Sequence, residues 1–259
     1  MIHGTEMKSL CEEVGDAVES SVSKIDGARA DEVVGTGADG TPTKYIDRTA
    51  EDAALDVLEE YGDLRVISEE VGEVVYGDPE FTVVLDPVDG TYNASVGIPL
   101  YTVSVCIADG RTTEDAEYGY VRELKCDECF TARRGEGAYL NGERIEMSDD
   151  TDLHRMSVGI YNTSRIDVSS FKRLRVLGSA SLEMSYAAAD RLDAFMDLRS
   201  KLRVVDFAAS KLIVEEAGGV VTDSDGDEIE MRLRPDECSD LVAATPGVHS
   251  EIVDEVTDG

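Results

Sequence analysis

Two carboxylates three residues apart, Asp86 and Asp89, sit in the string Val83-Val84-Leu85-Asp86-Pro87-Val88-Asp89-Gly90-Thr91-Tyr92-Asn93. The β-branched run from Phe81 to Leu85 reads as a buried strand. Pro87 has no N–H to give a ladder, so the strand is predicted to end at Asp86. Two acids at a buried strand end, with Gly90 opening the backbone behind them, make a site for a hard cation. Oxygen ligands suit Mg²⁺, which keeps positions open for water and phosphate oxygens. The N–H groups of Gly90 and Thr91 are placed to hold a phosphate. Taken alone, the same pattern is also that of an ordinary turn.

Other segments decide between the two. Ser68-Glu69-Glu70 follows an apolar run upstream; Val205-Asp206-Phe207-Ala208-Ala209 and Glu216-Ala217-Gly218-Gly219 lie downstream. Together with Asp86 to Asn93 these stretches resemble the signatures of the inositol monophosphatase superfamily, in the family's order and over almost the whole chain. Gly37 to Lys44 and Gly135 to Gly142 are most similar to its archaeal branch, whose members act on fructose 1,6-bisphosphate and inositol monophosphate. The resemblance implies an α+β protein, a five-layer α/β/α/β/α sandwich, and a homodimer. It also implies a magnesium-dependent hydrolase of sugar phosphomonoesters with two or three Mg²⁺ per site, Mn²⁺ being an alternative. Carried over by position, Glu69, Asp86 and the Val88 carbonyl hold the first ion. Asp86 bridges to a second, held also by Asp89 and Asp206, and a third, weaker ion lies near Glu69. Asp47 and Thr91, with Glu69, orient the attacking water.

The substrate is expected against Asp89, Gly90 and Thr91 on one side. On the other, Gly178, Ser179 and Ala180 open a helix whose N–H groups face hydroxyls or phosphate. Arg199 lies seven residues before Asp206, where inositol-specific members carry an acid. An arginine there favours a second phosphate, with Tyr161 and Arg175 lining the same pocket. Two alternatives stand beside this reading. One is hydrolysis of 3′-phosphoadenosine 5′-phosphate, which the absence of an obvious base-stacking element weakens. The other is a non-catalytic acidic protein that buffers divalent cations, which has no use for a water-positioning Thr91 and Asp47.

The elements that must position these residues are legible in outline. Residues 6–25 and 46–61 carry apolar side chains at helical spacing, with Asp47 in the first turn of the second helix. Residues 33–44 are predicted as a flexible loop ending in Lys44; their Gly35-x-Gly37-x-x-Gly40 lacks the following helix that a dinucleotide site needs. Short apolar runs with Asp109-Gly110 and Asn141-Gly142 turns predict a mainly antiparallel sheet up to about residue 145. Glu70 is expected to face solvent or to back up the site. We divide the chain into an N-terminal α+β half, 1–146, and a C-terminal α/β half, 147–259. Asp206 is predicted to cap a helix from Phe207 to Ala217, stopped by Gly218. The acidic turn Asp223 to Asp227 lacks the glycine and glutamate positions of a calcium loop.

Composition bounds the partners. The 259 residues include 56 Asp and Glu against 24 Lys and Arg, a net charge of −32. That excludes a nucleic-acid backbone and an anionic membrane as natural partners. No apolar run spans a bilayer, and the charged start lacks a signal segment, so a cytoplasmic location is expected. Lys is scarce, Asn numbers 3 and Gln is absent. Few thermolabile amides and diffuse acidity together suggest a hot, salt-rich cytosol, where repulsion is screened within ~3 Å at ~1 M salt. The unfolding temperature is therefore expected to rise as KCl is added; a flat profile removes the salt half of that reading. Cys126 and Cys129 form a lone C-x-x-C, and His3, His154 and His249 offer no ligand spacing to complete a zinc site.

Overall fold

The computed structural model describes residues 4–25, 27–38 and 40–258; His3, and Asp39 of the glycine-rich segment, lie outside the described residues. Helix α1 (Gly4–Val22) buries Met7, Leu10, Cys11, Val14, Val18 and Val22, one stripe at three- and four-residue steps. The single turn α2 (Gly27–Ala30) follows. The segment read as a flexible loop is instead an exposed hairpin, β1 (Val33–Thr36) against β2 (Pro42–Lys44), closed by a hydrogen bond from Gly37 N to Thr41 O of 2.9 Å. Helix α3 (Tyr45–Tyr61) then turns Ile46, Ala50, Ala54 and Leu58 inward beside α1.

Strands β3 (Leu64–Ser68), β4 (Gly72–Tyr76) and β5 (Phe81–Asp89) begin the larger sheet. After the short helix α4 (Thr91–Val96) it continues through β6 (Thr102–Ala108), β7 (Ala116–Glu123), β8 (Cys129–Arg133), β9 (Gly137–Leu140) and β10 (Glu143–Ile145). The order is β10-β9-β8-β7-β6-β5-β3-β4, antiparallel except where β3 runs parallel to β5. Alternation along the strands sends Leu64, Val66, Val83 and Leu85 toward α1 and α3, and Ile67, Val84 and Cys106 toward the other face.

The smaller sheet has the order β12-β11-β13-β15-β14, built from β11 (Ser157–Tyr161), β12 (Arg173–Arg175), β13 (Ala194–Arg203), β14 (Val220–Thr222) and β15 (Cys238–Ala244). Between the sheets lie α5 (Ala180–Ala188) and α6 (Val204–Glu216), apolar on nearly every face because each has a sheet on both sides. Helix α7 (His249–Asp258) covers the far side of the smaller sheet with Ile252, Val253 and Val256. The layers are thus helices, eight strands, helices, five strands, helix: the five-layer sandwich expected.

Two sequence-level boundaries move. β5 does not end at Asp86. It runs on to Asp89, because its pairing to β3 stops at Leu85 and its pairing to β6 slips by one residue between Asp86 and Asp89. Pro87 sits in that bulge, where no ladder N–H is required. Asp206 is not the N-cap of α6. Arg203 holds that position, and Asp206, three residues on, accepts its backbone N–H at 2.9 Å. Among the described residues no helix is long and apolar enough to cross a membrane.

Candidate active site

Parallel neighbours end at the same edge of a sheet, and that brings the first two acids together. Ser68 of β3 is in register with Leu85 of β5, so Glu69, just past the end of β3, and Asp86, where β5 loses β3 as its partner, come side by side. Asp206 arrives from the first turn of α6. Oxygens of Glu69, Asp86 and Asp206 all lie within 4.8 Å of one another. Three carboxylates and no nitrogen or sulfur donor fit a hard divalent cation.

Asp89 stands beside them but is turned to a second task. Its Oδ2 accepts the Ser179 hydroxyl at 2.8 Å, the Ser181 N–H at 2.7 Å and the Ser181 hydroxyl at 2.5 Å. The N-terminus of α5 is thereby tied to the end of β5. Asp86 Oδ1 accepts the Val88 N–H at 3.0 Å, which folds the bulge around the acid. The Val88 carbonyl accepts from the Thr91 hydroxyl at 3.1 Å. Gly90 has φ of 96°, and a Cβ there would come within 3.0 Å of the Leu100 carbonyl, so only glycine makes this turn. Asp47, buried in the first turn of α3, is hydrogen-bonded to Thr91.

Gathering acids raises their proton affinity. Burial, then the neighbouring Asp89, Glu69 and Asp206, push Asp86 well above the carboxylate range. Burial raises Glu69 to about 7 against the pull of Arg203, and raises Asp89 to about 6 with Asp206 adding to it. Burial raises Asp47 to about 7, the Thr91 hydroxyl opposing. Unfolded, such groups titrate at about 4. Below that pH both states are protonated. As pH rises from about 4 toward 7 the unfolded chain releases these protons first, so the metal-free fold loses stability, and the loss is complete above the folded values. Thermal unfolding between pH 4.5 and 8 in chelator should show that fall, and saturating Mg²⁺ should flatten it; parallel curves would refute the cation role.

One residue at the centre was not anticipated. Arg203 donates to Glu69 and, through Nη2, to Asp206 Oδ1 at 2.9 Å, balancing two of the three clustered acids. Its spacing from Asp206, that of a capping pair, was the available signal. Glu70 does not face solvent: it is buried and accepts the Thr43 hydroxyl, while its carbonyl accepts the Ala38 N–H at 2.9 Å. It fastens the β1–β2 hairpin to the site.

On the opposite wall the expected N–H row is partly spoken for. Gly178 N donates to the Tyr161 hydroxyl at 2.8 Å and to Glu183 Oε1 at 3.2 Å, and the Ser179 hydroxyl serves Asp89. Ala180 is buried. Tyr161 in turn donates to Glu183 at 2.6 Å. Arg199 is paired to the buried Asp197, with Nη2 to Oδ2 at 2.5 Å, and its guanidinium lies 4.4 Å over the Tyr161 ring. Arg175 is exposed on the edge strand β12, its Nη1 on the Leu174 carbonyl at 2.8 Å. Lys44 pairs with Asp31 at 2.7 Å. Cys126, in the β7–β8 connection, and Cys129, the first residue of β8, are free thiols.

Comparison with known proteins bears on this geometry. Residues 5–257 match the model of the inositol monophosphatase family. The fructose-1,6-bisphosphatase/inositol-1-monophosphatase of Methanothermobacter thermautotrophicus is 44% identical over 255 residues, covering 92% of this chain and 91% of that protein. Its namesake from Archaeoglobus fulgidus is 41% identical over 224 residues, 85% of this chain and 86% of that one. The crystal structure of an inositol monophosphatase–fructose 1,6-bisphosphatase superposes with a TM-score of 0.87 at 31% identity, covering 97% of this chain and 98% of the other. The match runs over nearly the whole chain: the chain belongs to the inositol monophosphatase family, and it is a phosphatase.

Proposed function

We propose that the protein is a magnesium-dependent phosphatase of fructose 1,6-bisphosphate, at the 1-phosphate, and of inositol 1-phosphate. The observation that carries this is the convergence of Glu69, Asp86 and Asp206 beside the Asp47–Thr91 pair. The relatives named above bear both activities in their names. In this reading Glu69, Asp86, the Val88 carbonyl, Asp89 and Asp206 hold two or three Mg²⁺, with Mn²⁺ as a substitute. Bound there, the ions supply Lewis-acid polarisation of the phosphoryl group and a more acidic water.

The chain's own groups do the rest. The one Thr91 proton has two acceptors in reach, Asp47 and the Val88 carbonyl, so the Thr91 oxygen keeps a lone pair for a water proton. Asp47, a carboxyl near neutrality, is matched to take that proton. The open backbone at Gly90 and Thr91 receives the phosphate. The transition state is loose, so position and charge supply most of the rate.

In this reading Arg199 faces the second phosphate of the sugar, held in place by Asp197 and Tyr161, and Arg175 lines the same pocket. Phosphate release from a panel of phosphomonoesters, with and without Mg²⁺, tests the whole; silence on every ester sinks it. Arg199→Ala should lower kcat/KM for fructose 1,6-bisphosphate roughly 10- to 100-fold, the worth of about 1.5–3 kcal/mol for a charged hydrogen bond. Inositol 1-phosphate should be spared; an equal loss on both refutes the assignment. A second reading gains from Tyr92, which is 68% exposed directly after Thr91, with Lys44 Nζ 5.9 Å from its ring. It supplies the stacking platform that the sequence did not advertise for 3′-phosphoadenosine 5′-phosphate, so that ester belongs in the panel. We further take the enzyme to be a cytoplasmic homodimer of two halves, 1–146 and 147–259, which sedimentation and limited proteolysis test.

A further inference from the structure

A cavity of about 790 Å³ has Arg65, Arg111, Arg232 and Arg234 in its wall. None of Glu69, Asp86, Asp89, Asp206, Asp47 or Thr91 lines it. The wall is built by the fold. Thr113 N donates to the Met231 carbonyl at 2.9 Å, Leu233 N to the Arg111 carbonyl at 2.8 Å, and the Thr113 hydroxyl to the Ile229 carbonyl at 2.6 Å. Thr112 and Arg232 form an antiparallel bridge. Residues 229–233 are thus pinned to the β6–β7 connection, and Arg111 and Arg232 are held on adjoining segments. Arg65 comes from β3, is buried, and is oriented by Nη2 on the Thr82 hydroxyl at 2.9 Å.

Charge on this wall runs against the rest of the molecule. Among the described residues two carboxylates line the cavity, Glu73 at 3.7 Å from Arg65 and Asp236 at 3.1 Å from Arg234. Among the described residues Arg111 and Arg232 have no carboxylate within ion-pair distance, in a chain with 56 acids and 24 bases. Arg111 lies close enough to Arg65 to disfavour its charge, though burial disfavours it more. Holding guanidiniums together in the absence of an anion costs free energy. Their planar forks match phosphate oxygens in pairs, and the volume is that of a small-molecule site. We propose that this cavity binds a small molecule carrying two or more phosphate groups, at a site separate from the acid cluster.

Inorganic pyrophosphate is the probe, titrated calorimetrically at 0.2 M KCl into protein stripped of divalent ions on a chelating resin. In that state the acid cluster repels anions. The expected result is saturable binding near one equivalent that weakens as KCl rises, a tenfold or greater loss in R111A/R232A, and no change in Asp206→Asn. Both arginines are exposed and their backbone bonds remain, so the double variant should unfold at the wild-type temperature; R111A and R232A singly should each lose part of the affinity. Absence of saturable binding to the wild type, full affinity in a folded R111A/R232A, or an equal loss in Asp206→Asn each overturns the proposal.

Discussion

Asp206→Asn is expected to lower kcat/KM on the order of 10³-fold and to weaken Mg²⁺ binding with it. A cation contributes several kcal/mol of charge stabilisation to phosphoryl transfer, and each 1.4 kcal/mol is a factor of ten. Asp206 is the one acid of the cluster that the middle helix layer delivers; Glu69 and Asp86 both come from the larger sheet. Removing its charge therefore takes away the one carboxylate of the cluster that α6 supplies. The substitution should not unfold the protein. An Asn oxygen can still accept the Arg203 backbone N–H, now made at 2.9 Å, and one fewer charge relieves the repulsion among the remaining acids. Calorimetric Mg²⁺ titration and thermal unfolding in chelator separate the effects. A variant with normal turnover and normal Mg²⁺ affinity would contradict the assignment.

Asp47→Asn and Thr91→Val should each lower kcat roughly 10²- to 10³-fold, the range of a positioned proton acceptor, with KM nearly unchanged. Neither residue is in the acid cluster, so Mg²⁺ affinity should hold, which distinguishes these variants from Asp206→Asn. Asp47 and Thr91 are hydrogen-bonded partners, and groups acting as a unit lose their function once. The double variant should then be no slower than the slower single one. Multiplicative losses would show that the two act separately. A rise in KM at constant kcat would make them substrate-binding residues instead.

Several parts of the site were readable because chemistry fixed them locally. Asp86 to Asn93 carries its own turn: Gly90 at positive φ and Pro87 in a bulge are the residue types those positions demand. The stripes of α1 and α3 were visible because each helix has one wet face. α5 and α6 gave no such stripe, since sheets cover both sides of them, and their limits were correspondingly misjudged at Asp206. The extension of β5 through Pro87 was hidden for a related reason. Whether a proline breaks a strand depends on which neighbours still pair with it, and β3 has already ended at Leu85.

The amino-acid sequence by itself determined which acids are available, the buried stripes of α1 and α3, and a net charge of −32. Tertiary structure alone decided what those acids face. It turned Asp89 toward Ser179 and Ser181, buried Glu70 against Thr43, and set Arg203 between Glu69 and Asp206. It also collected Arg65, Arg111, Arg232 and Arg234 from segments as far apart as β3 and the approach to β15. The physical reason is range. Turn chemistry and periodicity act over a few residues, whereas the partner of a charge is chosen by packing between segments distant along the chain, 27 residues for Thr43 and Glu70, 90 for Asp89 and Ser179 and 134 for Glu69 and Arg203.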